Sequence, residues 1–333
     1  MPMTSSKRVR TTIHDVAHAA GVSISTVSKA LNDTGRMQAE TRERIRKIAD
    51  ELQFRPNALA RSLLGKRSFS IGLLTNDTYG RFSLPMMSGV SEALVDHGVS
   101  VFLCATNDDQ ELTRRHIDAL LDKQVDGIIF SATRLDRRPP IDLSRLSVPV
   151  VYAFAEGPKG SVALLPDDDQ GARLAVEHLI ARGRRHIAHV TGPSDFRAAR
   201  YRAEAYRRIC GDAEPVLFGY WTEEWGHEAV KQLWSRDAPP PDGLFCGNDQ
   251  IARGVIDALR DRNVSIPDDV SVVGFDNWDV VAEQTRPSLT TIDMELKELG
   301  RQAGLAILAL SKGQTFSGGV RKLPCSIVVR RSS

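Results

Sequence analysis

The chain of 333 residues is 41% hydrophobic and 26% charged, which suits a protein of two or three globular domains with a large core. It holds no run of 18 apolar residues, and its opening MPMTSSKRVR has no apolar segment behind the basic residues, so neither a membrane span nor a secretory signal is expected. Residues 1–67 carry thirteen Lys and Arg against six Asp and Glu, while the remainder is net acidic, so a polyanionic partner is expected for the N-terminal part alone.

In TIHDVAHAAG, Ile13, Val16, Ala17 and Ala20 fall at i, i+3, i+4 and i+7, the narrow apolar stripe of a short helix. Thr12 is placed to cap it together with Asp15, and Gly21 follows the last periodic residue, where a left-handed C-cap is wanted. Ser23 is placed to cap a second helix that buries Val27 and Leu31 and turns Ile24, Ser25, Ser28 and Lys29 outward together. A third, AETRERIRKIADELQ, buries Ile45, Ile48, Ala49 and Leu52. Two helices about a glycine turn, backed by a third, form a helix-turn-helix, whose second helix enters a DNA major groove. The alternative is a small helical cap on the rest of the chain, which would leave the local positive charge without a role.

The next segment, PNALARSLLGKRS, has Pro56 at a suitable first-turn position and Ala58, Ala60 and Leu63 on one face, but is too short to be a stable helix by itself. A segment that orders only on DNA can be controlled from elsewhere in the chain.

After GKRSFS the pattern changes. Short apolar runs such as SIGLLTN, VSVFLCAT and VDGIIFSA alternate with amphipathic stretches, the signature of a parallel sheet flanked by helices. A second such series runs from GARLAVEHLIARG to SVVGFD, with FAEGPKGS between the two and DAPPPDG as a surface loop, so two similar lobes are expected. Polar and aromatic residues at strand ends are candidates for a ligand cleft: Asn76, Asp77, Tyr79 and Phe82 after the first strand, Arg202 in GPSDFRAARYR, Trp221 after EPVLFGY, Asn248 after GLFCG, and Asp276 closing SVVGFD. For each polar one, a helix cap or a loop hydrogen bond is the competing role.

The chain contains no GxGxxG, P-loop, HExxH or GxSxG, and its histidines do not cluster with cysteines at metal spacing. Cys104, Cys210, Cys246 and Cys325 stand far apart, as isolated thiols in a reducing cytoplasm. A binding protein without cofactor or metal is therefore expected, not an enzyme.

TIHDVAHAAGVSISTVSKALN, FRPNALARSLLGKRSFSIGLL, IPDDVSVVGFDN and PSLTTIDMELKELGRQA, in this order, resemble the signatures of the lactose repressor family of bacterial transcription regulators over essentially the whole chain. The resemblance implies an all-α helix-turn-helix headpiece (residues 1–55), a hinge helix and linker (56–67), and an α/β core (68–333) of two parallel sheets with flanking helices, like the periplasmic sugar-binding proteins. The chain would cross between lobes near 165, 290 and 317, giving a first lobe of about 69–165 and 291–317 and a second of about 166–290 and 318–331. It implies a cytoplasmic repressor acting on double-stranded, pseudo-palindromic operator DNA as a homodimer, without a membrane, and controlled by a small effector, a sugar, between the lobes.

Under this resemblance Ser25, Lys29 and Ile24 read bases, Ser23, Thr26 and Ser28 touch phosphates, and Asn57 and Leu63 belong to the hinge, with Leu63 wedged between base pairs in the minor groove. Arg202 matches a family arginine that binds effector, and Trp221 a family aromatic that covers it. Two positions depart from the pattern: Lys29 replaces a common arginine, and Phe154 stands where some sugar-binding relatives have aspartate. Leu299, Ala303, Ala306 and Ile307 are expected to supply a dimer surface, with LPMMSGVSEALVDHG as a second, and no Leu-heptad tail for tetramers follows Val329. The rival is a free-standing solute-binding protein with no DNA role, which would need an export signal and no basic headpiece.

Overall fold

The computed structural model describes residues 11–31, 33–54 and 67–333, and the chain divides into two compact units, Met1–Ser68 and Phe69–Ser333. In the first, α1 (Ile13–Ala20), α2 (Ile24–Leu31) and α3 (Ala39–Glu51) enclose Val16, Val27, Ala30 and Ile45, all with no exposed surface. The local sequence sets the ends of these helices. The Asp15 carboxylate accepts the Thr12 N–H and hydroxyl, both at 2.7 Å, and its pKa is lowered by those hydrogen bonds. Gly21, at φ 64°, ends α1 in the left-handed conformation. The hinge, with Asn57 and Leu63, lies outside the described residues.

The second unit holds two six-stranded sheets. The first joins β1 (Ser70–Thr75), β2 (Ser100–Ala105), β3 (Gly127–Ser131), β4 (Val150–Ala153), β5 (Val162–Pro166) and β11 (Gly319–Leu323), in the order β11-β5-β4-β3-β1-β2, all parallel. The second joins β6 (Ile187–Thr191), β7 (Val216–Phe218), β8 (Gly243–Cys246), β9 (Ser271–Asp276), β10 (Thr290–Asp293) and β12 (Ser326–Val328), in the order β12-β10-β9-β8-β6-β7, with only β12 antiparallel. Strands β1, β3, β5, β6 and β8 are buried along their whole length, as helices on both faces require and as their unbroken apolar runs foretell. Both sheets are doubly wound, and their switch points, β1/β3 and β6/β8, are the places where such sheets hold ligands.

The chain leaves the first sheet after β5, returns after β10 and leaves again after β11. The expected crossings at 290 and 317 are therefore corrected: Thr290–Asp293 pairs with β9 and completes the second lobe, and Gly319–Leu323 pairs with β5 and completes the first. Both strands sit beside crossings, where the same short apolar pattern fits either sheet.

Helices α4 (Ser83–Val95) and α11 (Leu296–Ser311) of the first lobe cross backbone to backbone. A Cβ on Gly89 would collide with the Lys297 carbonyl oxygen, and one on Gly300 with that of Met86. The second lobe repeats the device where α8 (Glu223–Trp234) meets α9 (Asp249–Arg260), at Gly226 and Gly254. Helix α11 is wedged between α4 and its sheet, so Leu299, Ala303, Ala306 and Ile307 are wholly buried inside the protomer. They belong to the core and offer no dimer surface, contrary to expectation. Among the described residues, no helix is long and apolar enough to cross a membrane.

Candidate functional site

Two places carry the expected chemistry. On α2 of the first unit, Ile24 is 40% exposed, and Ser25 and Lys29 are exposed beside it. The Lys29 stem lies along the following turn: a Cβ on Gly35 would come within 3.2 Å of its Cδ. The cation therefore projects from a packed aliphatic base. The Ser23 hydroxyl accepts the Thr26 N–H at 3.2 Å and meets the Thr26 hydroxyl at 2.8 Å, so these two residues also cap the helix. Ser28 is half-buried. Asp33, beyond α2, grips Arg42 at 2.8 Å and Arg46 at 2.5 Å, which fixes the turn to α3.

In the second unit a cavity of about 250 Å³ lies between the lobes, against the carboxyl ends of their strands. The first lobe contributes Arg81 and Phe82 after β1, Thr133, Arg134, Leu135 and Asp136 after β3, and Phe154 after β4. The second contributes Phe196, Arg197, Ala198 and Arg202 after β6, Trp221 after β7, Asn248 after β8 and Asp276 at the end of β9. Phe82 stacks on Phe154 with centroids 4.9 Å apart, and Phe196 stands edge-on to Trp221 at 5.8 Å, so each lobe supplies an aromatic wall.

Arg202, on α7 (Arg197–Cys210), is 4% exposed. Its Nε and Nη2 donate to Asp168 Oδ1 at 2.8 and 2.6 Å, its Nη1 to the Gly247 carbonyl at 2.5 Å, and its plane lies 3.5 Å from the Phe275 ring centroid. All these partners belong to the second lobe, so Arg202 does not reach across the cleft. Each nitrogen of its fork has a partner within the second lobe, and the residue lines the cavity. Burial raises the Asp168 pKa, against the opposing charge of Arg202.

Three other arginines do span the cleft. Arg81 pairs with Asp276 and donates to Gln250 Oε1 at 2.8 Å. Arg134 donates to Asp136 at 3.1 Å and, across the gap, to Asp195 at 3.2 Å, with its guanidinium 3.7 Å from the Phe196 centroid. Arg197 pairs with Glu156. None of the three was expected from the sequence, because Arg81 and Arg134 lie in loops and Arg197 opens a helix, where charge follows no period; Arg81 lies between the candidates Tyr79 and Phe82, and Arg197 within GPSDFRAARYR. Burial opposes ionisation of Asp136, but the bonds and charge of Arg134 outweigh it and lower its pKa.

Asp276 sits at φ 111°, a conformation unusual outside glycine, which aims its carboxylate into the cleft. Its pKa is raised by burial, with Arg81 and Arg202 acting the other way. Asp249 lies behind it, accepting the Trp278 N–H at 2.7 Å and the Thr291 hydroxyl at 2.5 Å. Burial and the neighbouring charge of Asp276 push it up to about 8.

Of the residues expected here, Phe82, Arg202, Trp221, Asn248 and Asp276 line the cavity. Asn248 also caps α9, its Oδ1 accepting the Ile251 N–H at 2.7 Å. Asn76, Asp77 and Tyr79 do not line it. Asn76 is held by Asp108 at 3.0 Å and by the Thr133 N–H at 2.8 Å; Asp77 caps α4 through the Phe82 and Ser83 N–H groups; Tyr79 is 94% exposed. For Asn76 and Asp77 the loop and cap roles prevailed.

Residues 12–57 match the family of bacterial regulatory proteins of lacI type, and residues 176–333 match a periplasmic binding protein-like domain. The chain is 32% identical to the HTH-type transcriptional repressor CytR of Escherichia coli (strain K12), over 97% of this chain and 96% of that one. It is 31% identical to the HTH-type transcriptional regulator DegA of Bacillus subtilis (strain 168), over 98% of each. Among solved structures, a lac repressor dimer bound to operator and the anti-inducer ONPF is similar with a TM-score of 0.74 at 28% identity, covering 97% of this chain and 99% of that one. A complex of the regulator CelR with cellobiose has a TM-score of 0.67 at 27% identity, covering 97% and 100%.

Proposed function

The chain belongs to the lacI family of bacterial regulatory proteins, and from that premise we propose that it is a transcriptional repressor whose grip on operator DNA is set by a small ligand, a sugar, bound between the lobes of its core. The observation that carries this reading is the pairing, in one chain, of an exposed α2 face with an interlobe cavity lined by aromatic walls, Arg202 and Asp276. We assign residues 1–55 to the DNA-binding headpiece, 56–67 to the hinge and 68–333 to the effector-binding core. Ser25, Lys29 and Ile24 read bases and Ser23, Thr26 and Ser28 meet phosphates, while Asn57 and Leu63 act in the hinge.

The protein works in the cytoplasm, as a binding protein and not a catalyst. A homodimer doubles the few base pairs that one short helix can read. Its surface is drawn from the exposed edge strand β2, with Phe102 and Leu103 about 40% exposed, and from Leu84 and Val95 on α4. Closure of the cleft on ligand turns the first lobes of the dimer against each other, and a marginal hinge pair then loses its fit to the operator. DNA retardation with the whole chain and with one starting at residue 69 tests the reading. Specific retardation by the whole chain only, released or tightened by a ligand, is expected. A whole chain that gives no specific retardation would leave a solute-binding protein with no DNA role, and a core that binds DNA as well as the whole chain would remove the headpiece assignment.

A further inference from the structure

Resting on the reading of the cleft as an effector site, we infer that its ligand is an anionic sugar derivative carrying a carboxylate or a phosphate, and not a neutral sugar. The cavity is lined by Arg81, Arg134, Arg197 and Arg202 with Asp136 and Asp276, and Asp168, Asp195 and Glu156 pair with these arginines around its rim. A neutral sugar needs acceptors for its hydroxyl hydrogens, and the acceptors here are largely engaged. Both oxygens of Asp136 face Arg134, at 3.1 and 3.3 Å; Asp276 Oδ2 is taken by Arg81; Asn248 Oδ1 holds the cap of α9.

Two donors, by contrast, lack a partner. The Nε groups of Arg81 and Arg197 are buried and have no hydrogen-bond partner, and they stand on opposite lobes. A buried cationic donor without an acceptor is unfavourable, and a ligand oxyanion supplies one with charge-assisted bonds. Such a group would also join the lobes and so favour the closed cleft. The walls of Phe82, Phe154 and Trp221 are left for the apolar face of the sugar ring.

The test titrates the full chain, by calorimetry, with D-glucuronate, D-galacturonate, D-glucose 6-phosphate and D-galactose 6-phosphate, their neutral parents glucose and galactose, and inorganic phosphate. At least one anionic sugar should bind tenfold or more tightly than its parent, and the acid and phosphate arms identify the group. Arg197→Gln should erase that preference and Arg197→Lys keep most of it; Arg81→Gln serves in the same way if the first variant melts early. A neutral parent binding as tightly as its acid or phosphate, or a preference that survives both glutamine variants, overturns the anion inference while leaving a sugar effector standing. Heat from inorganic phosphate equal to that from the sugar phosphates would overturn it too, as the sign of a bare anion site. Silence from every compound, neutral ones included, would remove the sugar-effector reading itself and the inference with it.

Discussion

Arg81 of the first lobe and Asp276 of the second meet as an ion pair at the boundary between two cavities, since both residues line the interlobe cavity and the larger groove beside it. Their side chains are only 14% and 6% exposed, so water screens the pair weakly. Arg81→Ala leaves the buried Asp276 carboxylate with Arg202, 4.0 Å away, as its remaining ion-pair partner and should cost about 2–3 kcal/mol in urea unfolding of the core. Adding Asp276→Asn should recover part of that loss. Two losses that simply add would show that the lobes are not held through this contact.

Arg202 cannot be removed without consequence for Asp168, whose second oxygen already has no hydrogen-bond partner. Arg202→Ala should therefore lower core stability by about 3–5 kcal/mol. The pair Arg202→Gln with Asp168→Asn should regain most of it, keep operator affinity and lose the response to effector. Retardation with and without ligand reads the second part, and a full response in the double variant would remove Arg202 from ligand capture.

Lys29→Ala should weaken operator binding by roughly 1–3 kcal/mol and random DNA by less. Because the Lys29 stem packs on the turn at Gly35, melting of the variant is needed to separate lost contact from lost fold. Equal loss on both DNAs would make Lys29 a phosphate contact.

The pH dependence of the core follows from Asp249. Its folded pKa is raised to about 8 by burial and by Asp276, so between the ordinary carboxylate range and pH 8 the native state holds a proton that the unfolded chain has released. The contribution is therefore most favourable at low pH and is lost as the pH rises toward 8. Asp249→Asn preserves both hydrogen bonds, donating to Thr291 and accepting from Trp278, and carries no charge. Its stability relative to the parent should therefore rise from pH 5 to pH 8, by about 1.4 kcal/mol per pH unit at most. Denaturant curves at the two pH values decide; a relative stability that does not rise would mean that the carboxylate is held ionised.

Dimerisation through β2 predicts that Leu103→Asp, which places charge on an exposed edge strand, shifts the protein toward monomer at micromolar concentration without lowering its melting temperature. Sedimentation velocity measures the first and a melting curve the second. A dimer unchanged by Leu103→Asp would move the interface elsewhere.

The two-lobed architecture was legible because buried parallel strands and amphipathic helices write different periods into the chain. The headpiece was legible because Thr12, Asp15 and Gly21 are capping residues whose roles depend only on near neighbours. What depends on contacts distant in sequence was not. The apolar residues of α11 suggested a dimer surface, since nothing local tells that Leu299 and Ala303 are buried between α4 and the sheet. Arg81 and Arg134 belong to the cleft through partners 195 and 61 residues away, and loop charges leave no pattern by which to trace such partners. Asn76 and Asp77 looked available because their hydrogen bonds run to loop backbone and to Asp108, which spacing does not reveal.

The interleaving of the lobes has a consequence for synthesis on the ribosome. Among the described residues the core of α1 to α3 is drawn from Ile13 to Phe54 alone, so this unit can fold as it emerges. The first lobe cannot, because α11 and β11 follow the entire second lobe up to β10. At about 5–20 residues per second, β5 waits roughly 10–30 s for β11 to emerge and cover its edge. Throughout that interval α4 presents the flat, glycine-marked face that α11 will occupy. A nascent chain thus carries a finished DNA-binding unit ahead of an unfinished core, and ligand control begins only after the last strands are made.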